Sequence, residues 1–293
     1  MRSLDVAIAT CTYFSEPDPD AMPLAEALEA AGVNAKWLAW DDPSSDFSSA
    51  KMTVIRSTWN YTQAHEAFLA WIDKTAAVTD LHNPAAVVRS NVHKKYLLDL
   101  AARGIPTIPT RIVPQASTTN LAEISGDLHA TEVVIKPAVS AASSRTIRAD
   151  VSSDRARDHF RALVASGDTM VQPYFPSVEG YGERSIICID DEISHSIRKS
   201  PRFEGDEQVT SVAMPIDAAE AALAKKVLAT FSEPLLYARV DVVRDANDSP
   251  VLMELELTEP SLFLDQSPQG LERFVRAIVG RLRRSSTSVI ASS

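Results

Sequence analysis

The sequence predicts an α/β protein of three lobes, in which a small open α/β lobe at the N-terminus is followed by two larger mixed lobes. Three observations carry this. The first part of the chain alternates strand, helix and strand, as an open sheet with helical crossovers does. The last third runs as strand pairs about tight turns, the pattern of antiparallel hairpins. Finally, 293 residues with 45% hydrophobic and 23% charged side chains bury more than one core's worth of apolar surface.

The elements follow in order. Val6 to Thr10 reads as a buried strand, and an acidic, proline-containing loop leads through Asp20. Met22 to Ala31 is a helix closing on Gly32, a glycine where a left-handed residue is needed. Ala35 to Trp40 and Met52 to Arg56 supply two more strands, and Ala64 to Ala77 a helix with Phe68, Leu69 and Ile72 at helical spacing. The segment RSTWNY, residues 56–61, leaves the carboxyl end of a strand, where open α/β sheets bind ligands. Arg56 suits a substrate carboxylate and Trp59 or Tyr61 a pocket wall, although a Trp after a strand is more often core. This lobe spans residues 1–88.

A central lobe is expected over residues 89–173. Asn91 starts a helix from Val92 to Arg103, stopped by Gly104, and Lys94 and Lys95 occupy its first turn. The helix dipole disfavours cations there, so the pair is either solvated or facing an anion such as phosphate. Ile105 to Val113 is extended, a polar connection follows, and Glu132 to Pro137 is a strand ending near Lys136. Residues 138–145, AVSAASSR, form a flexible polar loop, then come a helix from Asp154 to Ser166 and a strand from Thr169 to Gln172.

The third lobe is expected over residues 174–285. After the loop PYFPSVEGYGE, strands Arg184 to Ile189 and Glu192 to Lys199 pair about Asp190 and Asp191, and Val209 to Met214 joins their sheet. Asp217 with Glu220 opens a helix to Phe231 in the manner of a capping box. A last helix from Gln269 to Arg284 leads into a polar tail, residues 286–293, expected to be disordered.

Composition excludes several classes. No apolar run approaches the length of a membrane span, and Val6 to Ala9, with Asp5 before it, is too short for a signal-peptide core, so a cytoplasmic protein is expected. A formal net charge of −10 opposes a nucleic-acid backbone. Cys11 and Cys188 are too far apart in sequence to suggest a disulfide framework or a zinc site, and read as buried thiols. The oligomeric state stays open.

Chemistry concentrates between Tyr237 and Phe263, YARVDVVRDANDSPVLMELELTEPSLF. Two strands meet about Asp245, Asn247, Asp248 and Ser249, with Asp241 on the first and Glu254 and Glu256 on one face of the second. Three carboxylates this close repel one another unless a hard divalent cation sits among them, Mg²⁺ being the natural one. A surface hairpin of solvated acids is the other reading of this stretch alone.

Taken together, Lys94, Lys136, QPYFPSVE (172–179), Arg239-Val-Asp241 and Glu254-Leu-Glu256 resemble the ATP-grasp ligases over roughly residues 90 to 265. The resemblance implies a three-lobed ATP-grasp fold and an ATP-dependent carbon–nitrogen ligase that activates a carboxylate as an acyl phosphate. By it, Lys94 and Lys136 contact the nucleotide phosphates, and Gln172, Pro173, Tyr174 and Phe175 form the adenine hinge. Glu179 holds the ribose, Ser143 and Ser144 lie in the phosphate-covering loop, and Asp241, Glu254 and Glu256 hold Mg²⁺ or Mn²⁺. Arg239 steadies the transferring phosphate, with Lys199 and Arg184 as further cations toward phosphate or substrate. Two positions depart from the family: Glu256 stands where Asn is usual, which adds negative charge for the metal, and serines replace the glycines of the covering loop.

Within the family, RSTWNY, NVHKKYLLDLAARGIPTIPT and MELELTEPSLFL most resemble the ring-closing branch that makes D-cycloserine from O-ureido-D-serine. That implies a small zwitterionic, amino-acid-like substrate, with Arg56, Ser57, Trp59 and Ser261 as candidate contacts. An intermolecular amino-acid or peptide ligase, or a nucleotide-binding protein without catalysis, are the competing readings.

Overall fold

The computed structural model describes residues 2–13, 18–203 and 209–290, with residues 285–290 described by backbone alone. Part of the expected acidic loop before Asp20 therefore lies outside the described residues. In the first lobe, β1 (Leu4–Thr10), α1 (Ala21–Ala30), β2 (Ala35–Ala39), β3 (Ala50–Ile55), α2 (His65–Ala76) and β4 (Asp80–His82) build a parallel sheet ordered β2-β1-β3-β4. Val6 and Ile8 pack against Leu24 and Leu28 on one face, while Ala7 and Ala9 join Phe47 on the other. A strand covered on both faces must be apolar at every position, which is why VAIA shows no alternation. Gly32 closes α1 at φ +71°, in the left-handed region.

The next segment corrects the expected helix. The chain makes α3 (Ala85–Asn91), a turn carrying His93 and Lys94, and then α4 (Tyr96–Ala102). Asn91 ends a helix rather than starting one, and Lys94 stands in the turn rather than in a helical first turn. Val87 of α3 and Tyr96, Leu97 and Leu100 of α4 enter the core of the C-terminal sheet, so α4, expected within the central-lobe stretch, packs on the neighbouring sheet.

Central-lobe strands β5 (Arg111–Val113), β6 (Glu132–Pro137), β7 (Ile147–Asp150) and β8 (Thr169–Pro173) form an antiparallel sheet ordered β5-β8-β6-β7. It is covered by α5 (Leu121–Leu128) and α6 (Asp154–Ser166), whose Leu121, Ile124, Phe160 and Leu163 fill one core. The sequence reading passed over both α5 and β7. The signal for α5 was present: Asn120 and Glu123 form a reciprocal capping box.

The third lobe contains α7 (Ser177–Gly180), β9 (Glu183–Ile189), β10 (Glu192–Lys199), α8 (Ala218–Leu228), β11 (Tyr237–Arg244), β12 (Pro250–Glu256) and α9 (Pro268–Ile290). Its sheet runs β10-β9-β11-β12, antiparallel throughout. Val209 to Met214 touches β10 only through isolated bridges at Thr210 and Met214, so it lies along that edge without becoming a strand. The last helix extends past Arg284, so residues 286–290, expected as disordered tail, continue it, and residues 291–293 lie outside the described residues.

The free edge of β12 is satisfied by side chains and by the 106–108 segment. Leu255 N–H donates to the Tyr96 hydroxyl (3.0 Å), Asn91 Nδ2 donates to Leu255 O (2.8 Å), and Leu257 N–H donates to Asn91 Oδ1 (2.7 Å). Asn83 Nδ2 donates to Leu257 O (2.7 Å), and Leu252 exchanges bonds with Pro106 and Ile108. An unpaired strand edge would otherwise leave backbone polar groups without partners in a dry core. These contacts fix the carboxylate-bearing strand against both preceding segments.

Candidate active site

The three lobes meet at a cavity of about 380 Å³, within the range of small-molecule sites. One part of its wall is apolar, where Ile108, Val134, Tyr174, Phe175, Val178 and Met253 line a slot beside Gln172 and Pro173. Gln172 Nε2 donates to the Thr110 hydroxyl (2.9 Å), which fixes the strand end that forms one wall.

Beyond the slot the wall becomes ionic, and strand register decides which groups reach it. Arg239 pairs with Glu256 and Asp241 with Glu254 across β11 and β12, while Asp241 faces Ser185 and Lys199 faces Glu183 across the other strand pairs. Directly opposed residues share a face, so all of these line one side of the sheet. Lys94 Nζ lies 2.9 Å and Lys136 Nζ 3.2 Å from the Glu254 carboxylate. Lys199 Nζ is 3.1 Å from Asp241 and also pairs with Glu183. Arg239 bonds Asp241 (3.0 Å) and Glu256, and the Ser185 hydroxyl donates to Asp241 (2.6 Å).

These pairings set the ionisation. Burial opposes charge on Asp241, but Arg239 and Lys199 outweigh it and hold its carboxyl at about 2. On Glu254 burial is likewise overcome, by Lys136 and Lys94, and the carboxyl sits well below the usual range. Glu256 goes the other way: burial, with Glu254 and Asp241 adding to it, outweighs Arg239 and pushes its carboxyl up. Burial lifts Glu183 to about 7, with Asp241 adding to it against Lys199. Burial and then Glu256 lift Glu259 to about 8.

Among the described residues no three acidic, histidine or cysteine side chains close into a ligand cluster, because lysine or arginine stands between the expected metal acids. The donor set still fits a hard cation. Glu254 and Glu256 open to the cavity as oxygen donors, and to the burial that pushes the Glu256 carboxyl up, Glu254 and Asp241 add a repulsion that a divalent ion would relieve.

The covering loop shows how it turns without glycine. Ala142, Ser143 and Arg145 adopt φ of +51°, +55° and +53°, a conformation costing on the order of 1 kcal/mol for each residue with a Cβ. Ser140, Ala141, Ala142, Ser143 and Thr146 line the cavity, and Lys94 Nζ donates to Ser140 O (2.9 Å), tying lysine and loop together. Ser144 is not among the lining residues, and its N–H is held by Ala141 O.

Several sequence candidates fall elsewhere. Arg184 opposes Val242 and therefore points to the other face, where it donates to Pro215 O (3.0 Å) and lies over Tyr181. Glu179 is exposed outside the cavity, bonded to the Tyr174 hydroxyl (2.8 Å) and paired with Arg148. Arg56 is 2% exposed, paired with Asp20 (3.1 Å) beneath Tyr237 and Phe274, and Ser57 is buried against Thr10. Trp59 and Ser261 do reach the cavity. Cys188 is a buried thiol that burial pushes up to about 12, whereas Cys11 is only half-buried.

Sequence reasoning passed over Glu183, Ser185 and Glu259. Glu183 was legible only as a strand partner of Lys199. Glu259 was in plain view as one more acid beyond Glu254 and Glu256, but it lies past the strand, where alternation no longer predicts direction.

A parallel-sheet lobe joined to two antiparallel lobes, with lysines, an arginine and carboxylates lining the cavity where they meet, is the arrangement of an ATP-grasp ligase, an enzyme that uses ATP. D-alanine–D-alanine ligase from Bacillus anthracis superposes with a TM-score of 0.68 at 14% identity, over 98% of this chain and 99% of that one, which establishes the shared fold. Residues 6–83 match the model of the N-terminal domain of D-cycloserine synthetase DcsG. The chain is 35% identical to the cycloserine biosynthesis protein DcsG of Streptomyces lavendulae, over 95% of this chain and 99% of the relative. The crystal structure of D-cycloserine synthetase DcsG superposes with a TM-score of 0.86 at 34% identity, covering 94% and 99%. The chain belongs to the DcsG family of ATP-grasp ligases. Among the described residues no helix is long and apolar enough to cross a membrane.

Proposed function

We propose that the protein is a cytoplasmic cyclo-ligase that phosphorylates the carboxylate of O-ureido-D-serine with Mg²⁺–ATP and closes the ring of D-cycloserine. The observation supporting this reading is one cavity whose lining combines an apolar slot, the cations Lys94, Lys136, Lys199 and Arg239, and Trp59, Tyr61 and Ser261. The slot takes adenine, with Gln172 to Phe175 along its edge, and the cations take the phosphates. Mg²⁺, held by Glu254 and Glu256 with Asp241 behind them, supplies neutralisation of β- and γ-phosphate charge.

Lys136 and Lys94 exchange Glu254 for phosphate oxygens as nucleotide enters, since a buried lysine needs one anion or the other. Arg239 then stands beside the transferring phosphoryl group, and the serine loop excludes water from the acyl phosphate. The ureido nitrogen bonded to oxygen attacks the acyl carbon, phosphate leaves, and water removes the carbamoyl group as carbamate. Tethering nucleophile and electrophile removes the need for a second amine site and gives effective molarities of roughly 10⁵ M or more.

The test is ADP release with O-ureido-D-serine as sole organic substrate, with D-cycloserine identified by mass. Release only from a two-substrate mixture replaces ring closure by intermolecular ligation.

A further inference from the structure

The cavity wall holds a carboxylate that the phosphate chemistry does not use. Glu259 is 9% exposed and lines the cavity beside Trp59 and Tyr61. Glu183, Glu254 and Glu256 each have a lysine or arginine within ion-pairing distance, and among the described residues Glu259 has none. Its side-chain partner is the Tyr61 phenol, and its backbone carbonyl accepts from Trp59 Nε1 at 2.9 Å. A buried carboxylate without a cation is costly, and such a group beside aromatic faces is complementary to an ammonium ion.

The frame is built from distant segments. Trp59 and Tyr61 come from the loop after β3, whereas Glu259 follows β12 and precedes Pro260, which biases its backbone to an extended conformation. Lys94 and Arg239 line the same cavity and are near enough to act electrostatically on Glu259, so the phosphate-facing cations and this carboxyl share one small space. A zwitterion laid between them places its carboxylate toward the cations and its ammonium toward Glu259.

We infer that Glu259, framed by Trp59 and Tyr61, is the subsite that binds the α-ammonium of the substrate and makes the enzyme select α-amino acids. The inference rests on the reading above that the substrate is a small amino acid. Binding the ammonium also turns the carboxylate toward Arg239, so the subsite acts on orientation as well as affinity.

The experiment compares wild type with Glu259→Gln, on O-ureido-D-serine and on its counterpart without the amino group, 3-(ureidooxy)propanoate, at saturating Mg²⁺–ATP. Wild type should favour the amino substrate by about 50-fold in kcat/KM, the range of a charge-assisted contact. The variant should lose that preference, chiefly through KM, with its rate on the counterpart and its ATP affinity unchanged. Glu259→Asp should recover part of the preference. A preference retained in the Gln variant, or an equal fall on both compounds, overturns the assignment. If the Gln variant does not fold, Glu259→Met gives the same comparison.

Should wild type release no ADP with O-ureido-D-serine, ring closure fails by itself. The subsite is then judged by calorimetric titration of D-cycloserine against isoxazolidin-3-one, which lacks the amine. Amine-dependent affinity that disappears in Glu259→Gln supports the subsite, and equal affinity of the two compounds for wild type refutes it.

Discussion

Lys94 and Glu254 are 160 positions apart in sequence, yet the ammonium lies 2.9 Å from the carboxylate on the wall of the cavity. Under the proposed function each is the other's placeholder: the lysine occupies the carboxylate that metal would need, and the carboxylate occupies the lysine that phosphate would need. On that reading, loading Mg²⁺–ATP would mean exchanging partners rather than filling a bare site. Glu254→Gln should loosen this pairing, so that ATP without divalent metal binds several-fold more tightly while turnover with Mg²⁺ falls by about 100-fold or more. Calorimetry with EDTA and a steady-state assay check both halves, and unchanged turnover removes Glu254 from the metal set.

Lys136 approaches Glu254 from the other side, at 3.2 Å. Its replacement by Ala removes a charge-assisted contact from a mostly dry site, which should weaken ATP binding by about 2 kcal/mol. Wild-type affinity in a direct titration contradicts the placement.

Arg56 and Arg184 give the opposite expectation, because the fold turns both away from the cavity. Arg56 pairs with Asp20, whose carboxylate also accepts Leu262 N–H (2.8 Å) and Leu264 N–H (2.6 Å) and so ties the first lobe to the third. Arg56→Met leaves that carboxylate buried without a cation and should cost about 3 kcal/mol of stability. Arg184→Ala should lower stability by about 1 kcal/mol and leave ATP affinity unchanged. A rise in ATP Kd for Arg184→Ala with no loss of melting temperature would place it back in the site.

Glu259 provides a pH test without substrate. Its folded value of about 8 lies above its ordinary 4.5, so the folded protein keeps a proton that the unfolded chain releases. Native stability therefore falls as pH rises from 4.5 to 8 and levels off beyond. Glu259→Gln removes this drain: variant and wild type should differ equally little at pH near 4, and the variant should gain on the order of 3 kcal/mol by pH near 8. Denaturant titrations at both pH values measure it, and a pH-independent difference shows that burial does not hold the proton.

Much of the fold was legible because it rests on local rules. The VAIA strand, the glycine-stopped helix before Gly32 and the hairpin about Asp245 to Ser249 each follow from periodicity and turn chemistry. The break between Asn91 and Tyr96 was not legible, since helical propensity continues through VHKKY and only the demand of β12's edge for Asn91 and Tyr96 explains the turn.

For the site, the sequence by itself determined the chemical inventory: lysines, an arginine and alternating carboxylates in an order that resembles one ligase family. Tertiary structure decided which of them meet. Alternation along β9 sends Ser185 inward and Arg184 outward, a distinction that depends on which face of the sheet the other lobes cover. It also decided that Arg56 would hold Asp20 rather than a substrate, and that Glu259, past the end of its strand, would stand in the cavity between Trp59 and Tyr61. Spacing fixes side-chain direction within a regular element, but beyond its end direction is set by packing between segments far apart in the chain.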